Sequence, residues 1–176
     1  MIRQQRLRVE LPLVLALGSN LGDRESTLRD AVRAINAVDG VSVDAASSLV
    51  QTPALKLAGV DHSAPAYLNA VVLARSALEP HALLEHLQRI EADHGRVREE
   101  RWGDRTLDID IVTFAHVLVD DELLSIPHPR AAERAFVLVP WLQLDPGAML
   151  PGIGRAADLL AGIENDATEF EAEPLW

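Results

Sequence analysis

The first clear pattern along the chain is Leu13-Val-Leu-Ala-Leu17, a short apolar run ended by Gly18-Ser-Asn-Leu-Gly22, which predicts a strand followed by a loop. From Glu25 to Val38 apolar residues recur at Leu28, Ala31, Val32 and Ile35, the spacing of one helix face. Val41 to Gln51 reads as a second strand, weakened by Ala45-Ala46-Ser47-Ser48. Thr52 to Pro65 carries Pro53, Gly59 and Pro65 and reads as a long loop, a feature that in compact domains often serves function. Tyr67 to Arg75 is a third strand, and its two-residue period puts Tyr67, Asn69 and Val71 on one face. Pro80 to Asp93 is a helix with Leu83, Leu84, Leu87 and Ile90 inward, opened by proline and stopped by Gly95. Asp108 to Phe114 is a fourth strand.

The order strand-helix-strand-strand-helix-strand predicts an α+β fold with a ferredoxin-like βαββαβ core, an antiparallel sheet with its helices on one face. Beyond Ala115 the pattern predicts a C-terminal hairpin around Val117 to Ile126 and then short helices. With no internal repeat and no linker, residues 1–176 are expected to form a single domain, residues 1–12 and 164–176 lying at its periphery. The acidic run from Glu164 to Glu173 reads as a solvated end.

A net charge of −11 argues against nucleic acid as a partner, because binding a phosphate backbone needs a positive surface. No apolar run approaches the roughly 18 residues that span a bilayer, and Met-Ile-Arg-Gln-Gln-Arg-Leu-Arg at the start lacks the apolar core of a secretory signal. The absence of cysteine removes disulfides, thiolate metal sites and thiol nucleophiles. The expectation is a cytoplasmic protein acting on small molecules, with no membrane partner and a monomer as the simplest state. Lys56 is the only lysine and is followed by Leu57, so no Walker-type phosphate loop exists, and no Gly-x-Gly-x-x-Gly run appears either. Any nucleotide would be held by arginine, histidine and metal.

The segment from Arg96 to Val112 carries the densest chemistry. Arg96, Arg98, Arg101 and Arg105, with Trp102 among them, lead into a strand bearing Asp108 and Asp110. Residues two apart on a strand share a face, about 7 Å apart, with Leu107, Ile109 and Ile111 opposite. Paired carboxylates suit a hard cation that also binds phosphate oxygens, and nearby guanidiniums suit the phosphates themselves. The same residues also fit a half-buried strand with a solvated face, and Glu99, Glu100 and Asp104 partly neutralise the arginines. A tryptophan in so polar a loop favours a ligand or a closing lid.

In this context the chain resembles the 6-hydroxymethyl-7,8-dihydropterin pyrophosphokinases of folate biosynthesis. The resemblance runs from about Leu13 to Gly152. It rests on Leu17-Gly-Ser-Asn-Leu-Gly-Asp-Arg24, Thr52-Pro53, Tyr67-Leu-Asn-Ala70, Gln88-Arg-Ile-Glu91 and Gly95-Arg-Val-Arg98. It continues through Arg101-Trp-Gly-Asp-Arg-Thr-Leu-Asp-Ile-Asp-Ile-Val112, Ile126-Pro-His-Pro-Arg130 and Glu133-Arg-Ala-Phe136. It implies an enzyme that moves the β,γ-pyrophosphoryl unit of ATP to the hydroxymethyl oxygen of a reduced pterin, releasing AMP, with two magnesium ions held by Asp108 and Asp110. By the same resemblance, Arg96 and Arg105 steady the transferring group. Gln88, Glu91, Arg98, Arg101, Trp102, His128 and Arg134 serve the nucleotide. Thr52, Pro53, Leu55, Tyr67, Asn69 and Phe136 form the pterin pocket, Tyr67 and Phe136 by stacking and Asn69 by reading the heterocycle edge.

Three departures from the family pattern stand out. Val50-Gln51-Thr52-Pro53-Ala54 lacks an aromatic and a second proline, Asp104 stands where proline is frequent, and Pro129 follows His128 where an aromatic is common. Two other readings of the residues remain at this point: a magnesium-dependent phosphotransferase with another acceptor, and a non-catalytic ferredoxin-like binding module.

Overall fold

The computed structural model describes residues 9–56, 59–95 and 106–176. Strand β1 (Leu11–Ser19) alternates cleanly between faces, with Leu13, Leu15 and Leu17 joining one apolar cluster and Val14 a second. Helix α1 (Arg24–Asn36) starts where the Asp23 carboxylate accepts the Ser26 N–H, and it buries Leu28, Ala31, Val32 and Ile35, the face read from the sequence. Strands β2 (Val41–Ala46) and β3 (Leu49–Thr52) follow. They were expected as one strand. Both do pair with the same neighbour, but the chain breaks at Ser47, whose hydroxyl accepts the Val71 N–H at 2.9 Å in place of a ladder bond.

Within the expected Thr52–Pro65 loop the chain forms a small hairpin, β4 (Ala54–Lys56) with β5 (Gly59–Asp61). Strand β6 (Tyr67–Ser76) is the longest and lies at the sheet's centre. Helix α2 (Pro80–Asp93) has proline in its first turn, where no N–H is missed, and gives way to Gly95 at φ 80°. Strand β7 (Asp108–Phe114) then pairs with β1.

The main sheet runs β12-β3-β6-β1-β7, with β2 also on β6, and every pairing is antiparallel. The α1 and α2 side chains pack on the face carrying Leu13, Leu15, Leu17, Leu68, Val72, Ile109 and Ile111. After a hairpin of β8 (Val119–Asp120) and β9 (Ser125–Ile126) comes helix α3 (Ala135–Leu144), which covers the other face. There Val137, Leu138 and Trp141 pack on Val14, Val71 and Val112. The expectation of helices on one face therefore holds for α1 and α2 only. The apolar sequence Ala-Phe-Val-Leu-Val-Pro-Trp-Leu of α3 belongs to a helix caught between the sheet and the C-terminal α4 (Ala156–Ala161).

A short pair, β10 (Met149–Leu150) with β11 (Gly154–Arg155), precedes α4, and β12 (Thr168–Phe170) ends the sheet on β3. Residues 164–176, expected as a peripheral end, are thus tied to the body. Leu175 is buried, and the Arg29 guanidinium donates to the carbonyls of Glu173 and Pro174. Among the described residues no helix is long and apolar enough to cross a membrane.

Candidate active site

The sheet register assembles the site. Gly18 of β1 lies opposite Asp108 of β7 on one side and Asn69 of β6 on the other. One row further on, Ala16 separates Asp110 from Val71. All of these lie on the α3 face, because Ile109 and Ile111 join the α1–α2 cluster while Val71 and Val112 join that of α3. A carboxylate and an amide thus stand two strand spacings apart, about 10 Å, across the bare backbone of a glycine. The trough is open only because residues 16 and 18 are small.

Above that trough is a cavity of about 520 Å³, within the range of small-molecule sites. One end is lined by Thr52, Pro53, Tyr67 and Asn69 and the other by Asp108 and Asp110, with Arg130, Arg134 and Phe136 also in its wall. Asn69 is 4 % exposed and donates its amide N–H to the Thr52 hydroxyl at 3.0 Å, which fixes the amide's orientation. A Cβ added at Gly18 would stand 3.0 Å from Asn69 Oδ1 and 3.7 Å from Tyr67 Cδ1. Gly18→Ala is therefore expected to push the amide aside and weaken heterocycle binding by on the order of tenfold, with nucleotide binding little changed. Paired calorimetric titrations check it, and equal losses for both ligands would contradict it.

At the other end Arg134, just before α3, donates from Nη1 to Asp110 Oδ2 at 3.3 Å, and its guanidinium carbon lies 5.5 Å from the Phe136 ring centroid. Burial lowers the Arg134 pKa while Asp110 pulls it back up. The His128 Nδ1 accepts the Arg130 N–H at 3.1 Å, which leaves the proton on Nε2, 3.5 Å from Asp110 Oδ2. Its pKa is lowered from 6.5 to about 4, first by burial and then by the Arg134 charge, against an upward pull from Asp108.

With the folded pKa below the unfolded one, the unfolded chain takes up this proton first, so His128 destabilises the fold progressively as pH falls from 6.5 toward 4. Denaturant melts at pH 7 and pH 4.5 are expected to show a smaller loss for His128→Gln than for the parent. Identical losses would contradict the buried neutral imidazole.

Asp108 and Asp110 offer hard oxygen donors on one face, which fits magnesium. Among the described residues no group of three or more His, Asp or Glu could hold a metal, so phosphate oxygens and water would complete the coordination, as magnesium commonly requires.

Of the residues singled out by sequence, Thr52, Pro53, Tyr67, Asn69, Asp108, Asp110, Arg134 and Phe136 meet around this cavity, and His128 adjoins it through Asp110. Leu55 lies on β4, next to the Thr52–Pro53 wall. Arg96, Arg98, Arg101, Trp102 and Arg105 lie outside the described residues. Gln88 and Glu91 sit on α2, on the opposite side of the sheet, and do not line the cavity. Glu91 is instead 3 % exposed and accepts the Ile109 N–H at 2.7 Å. Sequence reasoning missed Arg130, Glu133, Glu164 and Asp166 as lining residues. The first two stood inside quoted motifs, whereas the last two come from the acidic tail, which looked solvated.

An acidic pair and a guanidinium share one cavity with an aromatic and amide slot, an arrangement suited to phosphoryl transfer beside a flat heterocycle. The chain belongs to the 7,8-dihydro-6-hydroxymethylpterin-pyrophosphokinase (HPPK) family, whose profile matches residues 14–146. It is 43 % identical over 138 residues to the 2-amino-4-hydroxy-6-hydroxymethyldihydropteridine pyrophosphokinase of Methylorubrum extorquens, covering 78 % of this chain and 85 % of that one. It is 43 % identical over 159 residues to the enzyme of that name from Bacillus subtilis, covering 90 % and 84 %. Among solved structures it is similar in fold to a Plasmodium falciparum HPPK-DHPS, with a TM-score of 0.67 at 13 % identity over 90 % of this chain. The chain spans 46 % of that longer protein.

Proposed function

We propose that this chain transfers the β,γ-diphosphoryl unit of ATP to the hydroxymethyl oxygen of 6-hydroxymethyl-7,8-dihydropterin, releasing AMP, as a step of folate biosynthesis. The observation that carries the reading is one cavity with Asp108 and Asp110 at one end and Asn69 with Thr52 at the other. Family membership and the names of the relatives support it. The antiparallel order β7-β1-β6 with β2 and β3 on β6 supports a ferredoxin-like βαββαβ core, here read as one domain over residues 1–176.

A flat bicycle held between Tyr67 and Phe136, with its donor and acceptor edge on Asn69, sends its exocyclic arm across Gly18 toward Asp108. Arg134 and His128, which face Asp110, bind the phosphates of the nucleotide. Arg96 and Arg105 steady the transferring group. Arg98, Arg101 and Trp102 serve the nucleotide. Two magnesium ions held by Asp108 and Asp110 would neutralise phosphate charge and favour the ionised hydroxyl. In the reaction the hydroxymethyl oxygen bonds to the β-phosphorus, the α,β-bridging bond breaks, and the hydroxyl proton is released as AMP departs. The chain acts on small molecules as a cytoplasmic monomer in this reading, and the absence of cysteine agrees with a reducing compartment.

The test is calorimetric titration with a reduced-pterin analogue, with and without magnesium and a non-hydrolysable ATP analogue. Pterin binding that depends on the nucleotide is expected. No pterin binding under either condition would overturn the reading, and pterin binding indifferent to nucleotide would remove the shared cavity from it.

A further inference from the structure

We propose that Glu91 is a positioning residue that holds the carboxylate-bearing strand in place, an inference that rests on reading Asp108 and Asp110 as the metal ligands. Strand β7 ends the sheet order among the described residues, so its second side has no ladder partner there. On the first side Ile109 is in register with Leu17 of β1. On the second its N–H donates to Glu91 Oε1 at 2.7 Å. Ile109 is therefore held through its backbone on the outer side of β7, and it is the residue between Asp108 and Asp110.

The grip comes from a side chain that is costly to bury. Glu91 is 3 % exposed, on the face of α2 that also buries Leu83, Leu87 and Ile90. A glutamate there needs strong partners, and a backbone N–H on an edge strand covered by a helix needs an acceptor. Each answers the other. The consequence falls on the site, because backbone drift at Ile109 would swing both neighbouring carboxylates together and change their spacing toward a metal-bound phosphate. Residues that orient metal ligands in this indirect way commonly alter metal affinity or activity by about 10- to 100-fold when changed.

Two conservative substitutions separate reach from charge. E91Q keeps the length and an acceptor oxygen but removes the charge, whereas E91D keeps the charge and withdraws the oxygen by one methylene. The first readout needs no ligand and follows exchange protection of the Ile109 amide by NMR. Protection is expected to persist in E91Q and to fall in E91D. The second is manganese binding, followed by electron paramagnetic resonance in the presence of a non-hydrolysable ATP analogue. Manganese affinity is expected to stay near the parent value in E91Q and to weaken about 10- to 100-fold in E91D.

Weak manganese binding in E91Q with normal binding in E91D would overturn the proposal in favour of a charge effect. Unchanged manganese affinity in both variants would reduce Glu91 to a purely structural contact and also overturn it. If the parent chain itself fails to bind manganese with the nucleotide, the reading of Asp108 and Asp110 fails, an outcome distinct from either of those. Both variants keep a polar acceptor on α2, so the comparison does not depend on a fully truncated glutamate folding.

Discussion

Replacing Asp110 with alanine is expected to lower kcat by roughly 10³-fold or more while the far-ultraviolet circular dichroism and the melting transition stay close to those of the parent. The carboxylate sits at the phosphate end of the cavity, and its charge matters most when phosphate charge is being redistributed. Its side chain is 31 % exposed, so its removal opens no void in the core. The structural cost falls on Arg134 and His128, each 19 % exposed at its side chain and each facing Asp110. Steady-state kinetics at saturating pterin and nucleotide, alongside a thermal melt, make the measurement. Full turnover in a folded Asp110→Ala chain would remove the carboxylate pair from the chemistry. A collapse of the fold would show that Asp110 serves the structure first.

Asn69→Ala is expected to produce the other large effect, on binding instead of turnover. The amide is almost wholly enclosed, and the Thr52 hydroxyl locks its orientation. Without it the heterocycle edge meets a methyl group, and the polar groups of that edge are desolvated with no partner. Pterin affinity should fall roughly 100-fold, from two or so hydrogen bonds in a dry site, while nucleotide affinity and the saturated kcat change little. Stability should also fall by about 1–2 kcal/mol, because Thr52 loses its partner in a buried setting. A drop in kcat at saturating pterin with an unchanged pterin KM would place Asn69 at the reacting end and reverse the assignment of the two ends.

The sequence was most legible where one period dominates. Leu28, Ala31, Val32 and Ile35 mark α1 because one face alone is buried, and the alternation of Asp108 to Ile111 marks β7 because its two faces meet different surroundings. Legibility fades where other forces choose the backbone. The break between β2 and β3 depends on the Ser47 hydroxyl reaching Val71 across the sheet, a contact with no local signature. The β4–β5 hairpin rests on three-residue strands, too short for any period to register. Helix α3 is apolar on every side and contains Pro140, so neither its length nor its buried face could be read from its pattern.

The candidate site followed the same rule. Strand periodicity put Asp108 with Asp110, and Tyr67 with Asn69, on common faces. That Gly18 lies between the two pairs is a matter of sheet register, which depends on long-range pairing. Glu91 is instructive, because it lies eight residues after Leu83 on the helical face that also carries Leu87 and Ile90. The period therefore marked it for burial, whereas the resemblance assigned it to the nucleotide. Glu164 and Asp166 reach the cavity because β12 joins β3 at the sheet edge, and the five acidic residues from Glu164 to Glu173 hide that strand from any propensity argument.

The most direct test of the shared cavity is mass spectrometry of the products formed from ATP, magnesium and 6-hydroxymethyl-7,8-dihydropterin. AMP and the pterin diphosphate should appear together in equal amounts, with neither formed when the pterin or the nucleotide is left out. ADP with a pterin monophosphate, or AMP released without any phosphorylated pterin, would contradict the account.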